Sequence, residues 1–481
     1  MAKDHSSAEE REKALLDGKF AVTPSSLTET LEILLSAEDT EHPGKRVKAQ
    51  AAAMIWGAMG IGKTDVTRQL GKIWGHRIVA LHLAQFDPTD IKGIPVKDDN
   101  GMVRWCPSSY LPANKTESLT GTTQKIDFMF YHAKFIMVHV LTLDGIFVGR
   151  YNDKITGELK PAWLDVKIDF DPVSGNGTVI VTAKNGKTLD GLSVDIIDKA
   201  IVFLDELSTA PPEVQNAALQ LVLDRRVAEY DIPRHIPIVA AGNREKDSAY
   251  IHTMSGPLAN RFIHLTLEPS LDDWLEWAQT HKIHPLIIAF VKWKGKPALF
   301  KFDQRTLANG DYGFPTPRSW HMLSDQLRAM EARGTSTRVH DAIIAGTVGR
   351  TAGSNFAAYK RDFDKLPSTD DILQGKEIEM HEQLSIGAKY GLAISLCYKL
   401  DDYHEKYWDR STKDLKKQPK EWKIAAKGFC DFIDEYLGNE MALLCVHIVS
   451  KHLDISFTKF KDNPNFMAFA EKNRDPLRKT I

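Results

Sequence analysis

Lys63 and Thr64 stand side by side behind three glycines in the stretch GAMGIGKT, and two adjacent carboxylates, Asp205 and Glu206, end an apolar run much further along the chain. These residue types suit the handling of a phosphate chain and a divalent cation. Gly57, Gly60, Gly62, Lys63 and Thr64 follow the order G-x-x-x-x-G-K-[ST], a loop whose backbone N–H groups wrap around phosphate oxygens. Glycine admits the positive φ that wrapping requires, and the helix that follows adds partial positive charge at its N-terminus. Lys63 then reaches the β- and γ-phosphates of ATP, and the Thr64 hydroxyl can ligate Mg2+. Ala58, Met59 and Ile61 complete the nucleotide-binding segment. The blander reading is a glycine turn before an ordinary helix; the strand-like AMIW before it and the helical DVTRQL after it favour the phosphate loop.

The carboxylates have a matching use. Asp205 can hold Mg2+, often through water, and Glu206 can polarise the water that attacks the γ-phosphate. A strand ending in Asp-Glu means little alone and gains its meaning from the loop upstream. Asn243 closes a later apolar run, IVAAGN, where it is either a turn residue or a group that orients the attacking water. Arg261, in PLANRF, is either a surface ion pair or an arginine that stabilises transition-state charge on the nucleotide of a neighbouring subunit. Arg318 begins a helix behind two prolines, where a cation opposes the helix dipole; a bound phosphate or a salt bridge accounts for it.

The elements that must position these groups are legible in outline. The spacing of Leu27, Leu31, Leu34 and Leu35 predicts a helix behind a serine cap, after a polar arm over 1–22. Short apolar runs before Gly57, over 77–84 and over Ile201–Leu204 predict strands, the last buried in a parallel sheet. Asn100-Gly101 predicts a hairpin near the nucleotide site, and 225–237 another. Residues 113–200 read as a β-rich insertion of four or five strands, with turns at Asp144-Gly145, in PVSGNG and at Asn185-Gly186; it is an embellishment or a docking surface. From 271 onward the pattern is helical. His281 and His284 lack companions at metal-ligand spacing.

The 481 residues suggest two to four domains, and 43% hydrophobic with 26% charged residues is a globular composition. A formal net charge of −2 gives no overall pull toward nucleic acid or anionic membrane. Cys106, Cys397, Cys430 and Cys445 are too scattered for a disulfide framework or a structural zinc site. No signal-like or membrane-spanning stretch is evident, so a cytoplasmic location is expected. The mixed-charge, aromatic segment at 401–423 reads as a solvated face, with a nucleic-acid contact as the sharper alternative.

The order GAMGIGKT, hairpin, IVFLDE, second hairpin, AAGN, ANRF and PTPRSW resembles the AAA+ ATPases of the MoxR class, in the helix-2-insert group with magnesium chelatase and dynein-like modules. The resemblance covers about 50–112 and 200–330 and extends weakly to about 376. It implies a Walker A role for Lys63 and Thr64, Walker B for Asp205 and Glu206, sensor 1 for Asn243, the arginine finger for Arg261 and sensor 2 for Arg318. Residue pattern and resemblance together divide the chain into an arm and helix over 1–49, an α/β P-loop core with a parallel sheet over 50–270 interrupted by 113–200, a helical lid over 271–335 and an α-helical C-terminal region over 336–481. Typical members lack the β-rich insertion. The resemblance further implies a homo-oligomeric, hexameric ring that remodels or activates a client protein, with a von Willebrand factor A domain partner supplied by a separate chain. Two other functions compete with it: a nucleic-acid-stimulated motor, disfavoured by the neutral charge, and a slow ATP-gated scaffold, disfavoured by Glu206 and the two arginines.

Overall fold

The computed structural model describes residues 21–35, 51–407 and 419–453, with interruptions at 98, 107, 109–110, 113, 130–135, 143–146, 153–161, 172–173, 175, 234–235, 245–246, 248–250, 303–309, 335 and 379–383, and positions 455, 460, 467 and 471 beyond them. The polar arm up to position 20, the Asp144-Gly145 turn and the middle of the mixed-charge segment lie outside the described residues. The chain divides into two compact units, Met1–Glu268 and Pro269–Ile481.

The first unit runs β1 (Ala21–Val22), α1 (Pro24–Leu35), β2 (Ala52–Trp56), α2 (Lys63–Trp74), β3 (Arg77–His82), α3 (Pro88–Lys92), β4 (Ile94–Lys97) and β5 (Val103–Cys106). The insertion follows as β6 (Asn114–Leu119), β7 (Thr123–Met129), β8 (Ile136–Thr142), β9 (Phe147–Asn152), β10 (Leu164–Phe170), β11 (Asn176–Ala183) and β12 (Leu192–Asp198). The core resumes with β13 (Ala200–Asp205), α4 (Pro212–Asp224), β14 (Arg226–Val227), β15 (Tyr230–Asp231), β16 (Ile238–Gly242), α5 (Gly256–Ala259) and β17 (Phe262–Leu267). As expected, Leu27, Leu31 and Leu35 of α1 are buried.

Six strands form one parallel sheet in the order β1-β17-β2-β16-β13-β3. Every residue of β13 and β16 is buried, the pattern of strands covered on both faces. The chain leaves β2 toward β3 on one side and returns past it to β17 on the other, so β2 is a topological switch point. Ligands of open α/β sheets bind at the carboxyl ends of the strands at such a point. Of the expected fold class, the structure has the α/β core with its parallel sheet, the β-rich insertion and the α-helical C-terminal region.

The hairpin at Asn100-Gly101 is present: β4 pairs antiparallel with β5, and Gly101 takes a φ of 79°. Ile94, Val96, Met102 and Val103 on it are exposed. The insertion has seven described strands rather than four or five, in a four-stranded sheet, β6-β12-β8-β9, and a three-stranded one, β10-β11-β7. The expected pairings of β8 with β9 and of β10 with β11 are there. Strands from both sheets contribute to one apolar core that includes Val138, Val140, Val179, Val181 and Val194. At its base, Arg77 donates to both oxygens of buried Asp198, at 3.2 and 2.9 Å.

The second unit is helical, and one continuous apolar core runs through it from Trp274 to Phe460, centred on Phe290, Trp320, Phe356 and Trp422. His284 faces Glu331 at 3.3 Å and accepts from the Leu286 N–H, a capping role. Among the described residues no cluster of three His, Cys, Asp or Glu side chains is suited to a metal ion, and no helix is long and apolar enough to cross a membrane.

Candidate nucleotide site

The carboxyl ends of three adjacent strands build the site. β2 leads into the glycine loop, β16 into Asn243 and β13 into Asp205 and Glu206. Because the three run parallel and lie side by side, their ends meet although the segments are far apart in sequence.

The loop's backbone explains its glycines. Gly62 has a φ of 96°, a conformation that L side chains rarely adopt. A Cβ on Gly57 would lie 3.0 Å from the backbone carbonyl oxygen of Leu267 as well as 2.6 Å from Ile61 Cδ1, so that position is small for packing reasons. Ala58 and Ile61 are buried and fix the loop from beneath, whereas Met59 is half-buried. Lys63 Nζ donates to the carbonyls of Gly57 and Ala58, at 2.8 and 2.9 Å, and to Asn243 Oδ1 at 2.9 Å. Thr64 Oγ1 donates to Asp205 Oδ2 at 3.1 Å. The structure thus brings together Lys63, Thr64, Asp205 and Asn243 through direct side-chain bonds.

Glu206 follows Asp205 in a left-handed conformation, φ 59° and ψ 32°, and is exposed. Its N–H donates to Asp205 Oδ1 at 3.0 Å, and its carbonyl accepts from Thr209 Oγ1 at 2.9 Å. For a non-glycine residue this backbone conformation is strained, by about 1–3 kcal/mol, and such strain clusters where a side chain must be presented. The site therefore offers a cation, hard oxygen donors and an exposed carboxylate at the carboxyl ends of adjacent strands, which is the equipment for binding a phosphate chain and activating a water beside it.

Arg261 and Arg318 are not in this cluster. Arg261 lies just after α5, exposed, with no side-chain hydrogen bond or ion pair among the described residues. Arg318 is exposed at the second position of the helix Pro317–Arg333 in the second unit. That helix is capped by the Thr316 hydroxyl, which accepts from the Ser319 N–H at 3.0 Å.

Two neighbours of the site escaped the sequence reading. His82, paired with Asp205 in the sheet register, brings Nδ1 to 3.6 Å from Asp205 Oδ2. Ser208, fully buried, accepts from the Asn243 N–H at 2.9 Å and so fixes the end of β16. Its only signal in sequence is its position two residues past the carboxylates. Ser208→Ala strands that N–H and is expected to cost about 1–3 kcal/mol of stability in urea denaturation. Next to Asn243, Arg244 donates to Asp247 and, at 2.5 Å, to Glu268. Burial disfavours its charge, but the two carboxylates outweigh that and hold the guanidinium above its ordinary value.

Neither a family model nor a curated protein matches the chain. Among solved structures, the chain is similar to two mutants of RuvB from Thermotoga maritima, at 11% and 12% identity and TM-scores of 0.30 and 0.29. The aligned parts cover 78% and 77% of this chain and 83% and 81% of those chains. It is also similar to a full-length MCM homolog from Methanopyrus kandleri, at 12% identity and a TM-score of 0.22, covering 74% of this chain and 62% of that one. Likenesses of this degree carry no functional argument, which rests on the residues themselves.

Proposed function

We propose that the chain is a Mg2+-dependent, ATP-hydrolysing AAA+ ATPase of the MoxR type, which works as a homo-oligomeric, hexameric ring and remodels or activates a partner protein or complex. The observation that carries this is the joining of groups from three sequence-distant segments at the carboxyl ends of adjacent strands: Lys63 to Asn243 at 2.9 Å and Thr64 to Asp205 at 3.1 Å.

In this reading Lys63 and the loop N–H groups hold the β- and γ-phosphates. Thr64 Oγ1 and Asp205 Oδ2 are hard oxygen donors within hydrogen-bond distance of one another, which suits Mg2+. When bound, that ion supplies neutralisation of phosphate charge. Glu206 accepts the proton of the attacking water, and Asn243 orients that water from the neighbouring strand end. Arg261 reaches the nucleotide of the next subunit, and Arg318 is the candidate for a second phosphate-sensing arginine. The exposed apolar side chains of the β4–β5 hairpin supply a surface for the client.

The test is the solution mass of Glu206→Gln protein with and without Mg·ATP. A ring that forms only with Mg·ATP is expected. A persistent monomer that nonetheless binds ATP would overturn the shared site.

A further inference from the structure

Trp56 Nε1 donates to His264 Nδ1 at 2.8 Å, and His264 Nε2 lies 2.8 Å from the carbonyl oxygen of Ala259. An indole N–H only donates and a carbonyl only accepts. His264 therefore carries its proton on Nε2 and bridges the two. The rings of Trp56 and His264 are also stacked, 6.0 Å between centroids and 17° between planes. In the parallel register His264 sits opposite Met54, which makes Trp56 its diagonal neighbour on the same face.

Both ends of this bridge are informative. Trp56 is the last residue of β2, immediately before Gly57 of the glycine loop. Ala259 closes α5, a single turn of helix in which the Gly256 and Leu258 carbonyls accept from the N–H groups of Asn260 and Arg261, and the Ala259 carbonyl takes the His264 bond. Arg261 follows two residues later, with no side-chain bond of its own among the described residues. The direction in which Arg261 leaves the surface thus depends on how the end of α5 is held, and His264 holds it.

We infer that His264, backed by Trp56, is a positioning residue for Arg261, pinning the end of α5 to the strand that carries the subunit's own phosphate loop. The inference rests on the proposed action of Arg261 on the neighbouring subunit's nucleotide. It makes the loop strand of one site and the arginine lent to the next site parts of one rigid piece.

The experiment uses mixed rings of full-length chains in which a large excess of donor subunits surrounds wild-type subunits. All donors carry Lys63→Ala, so turnover comes from wild-type sites alone, and ATP turnover per wild-type chain is read with each donor. Adding His264→Ala to the donor is expected to lower that turnover roughly tenfold to a hundredfold, the scale of a misplaced catalytic group. The neighbour's ATP affinity should stay unchanged. His264→Gln, which keeps an acceptor and a donor, should restore most of the loss, and Trp56→Phe, which keeps a stacked ring without the indole N–H, should give an intermediate value. A donor carrying Arg261→Ala is the reference. If that donor lowers turnover while His264→Ala does not, or if His264→Gln fails to restore it, the positioning role is overturned and the trans arginine stands. If the Arg261→Ala donor has no effect, the trans arginine itself falls and the inference with it.

Discussion

Glu206→Gln is expected to bind ATP as the wild-type protein does and to lose turnover by about 10²–10⁴-fold, the usual contribution of a positioned general base. The substitution keeps the size and the hydrogen-bonding reach of the side chain and removes its basicity. The backbone turn at this position is set by bonds that the side chain does not make, the N–H to Asp205 and the carbonyl from Thr209. The fold should therefore survive, and a fluorescent-nucleotide titration run beside a phosphate-release assay separates binding from chemistry. Undiminished phosphate release would show that the water is activated elsewhere and would remove Glu206 from the mechanism.

If the chain forms the proposed ring, Arg261→Ala is expected to leave that assembly and its ATP affinity in place and to lower kcat by about 10³–10⁵-fold, the range for an arginine supplied to a phosphoryl-transfer site. No acceptor engages its guanidinium among the described residues, and none of the bonds that join Lys63, Thr64, Asp205 and Asn243 involves it. An arginine acting across an interface also makes a sharper demand. Arg261→Ala and Lys63→Ala chains, each inactive alone, should recover turnover when mixed, because some interfaces then pair an intact loop with an intact arginine. Absence of recovery in mixed rings of confirmed composition would mean that the arginine serves its own subunit or none.

Much of this was legible in the sequence, and the limits are physical. The glycine loop was readable because its chemistry depends on consecutive residues. Gly62 must be glycine where φ is 96°, and Lys63 and Thr64 must follow directly. β13 was readable because a strand buried on both faces is an unbroken apolar run. Strands that hold polar residues at buried positions are harder to find. β12 carries Ser193 and Asp195 among buried neighbours, and Asp195 is satisfied by the Thr116 hydroxyl of β6 at 2.8 Å, a partner that appears only once the sheet exists. β6 itself, NKTESL, buries only its last residue. These strands show why an expectation of four or five was short of seven. Contacts made across the parallel sheet are invisible for a related reason. Trp56 and His264 are separated by 208 positions, and only the register of β2 against β17 makes them neighbours.

The junction of the insertion with the core has a kinetic side. β12 ends at Asp198 and β13 begins at Ala200, so a single residue separates the last strand of the insertion from the strand that carries the carboxylates. β13 nevertheless pairs with β3, residues 77–82 against 200–205, with the whole insertion lying between them in the chain. Closing so long a loop from an unstructured chain is opposed by entropy, and contacts distant in sequence form late for that reason. The insertion has its own apolar core and local hairpins, so it can condense before the sheet edge does. Once condensed, it is no longer a free loop but a folded body, and the Arg77–Asp198 pair spans its base. Chain entropy thus favours a route in which the insertion folds first and brings β13 into register with β3.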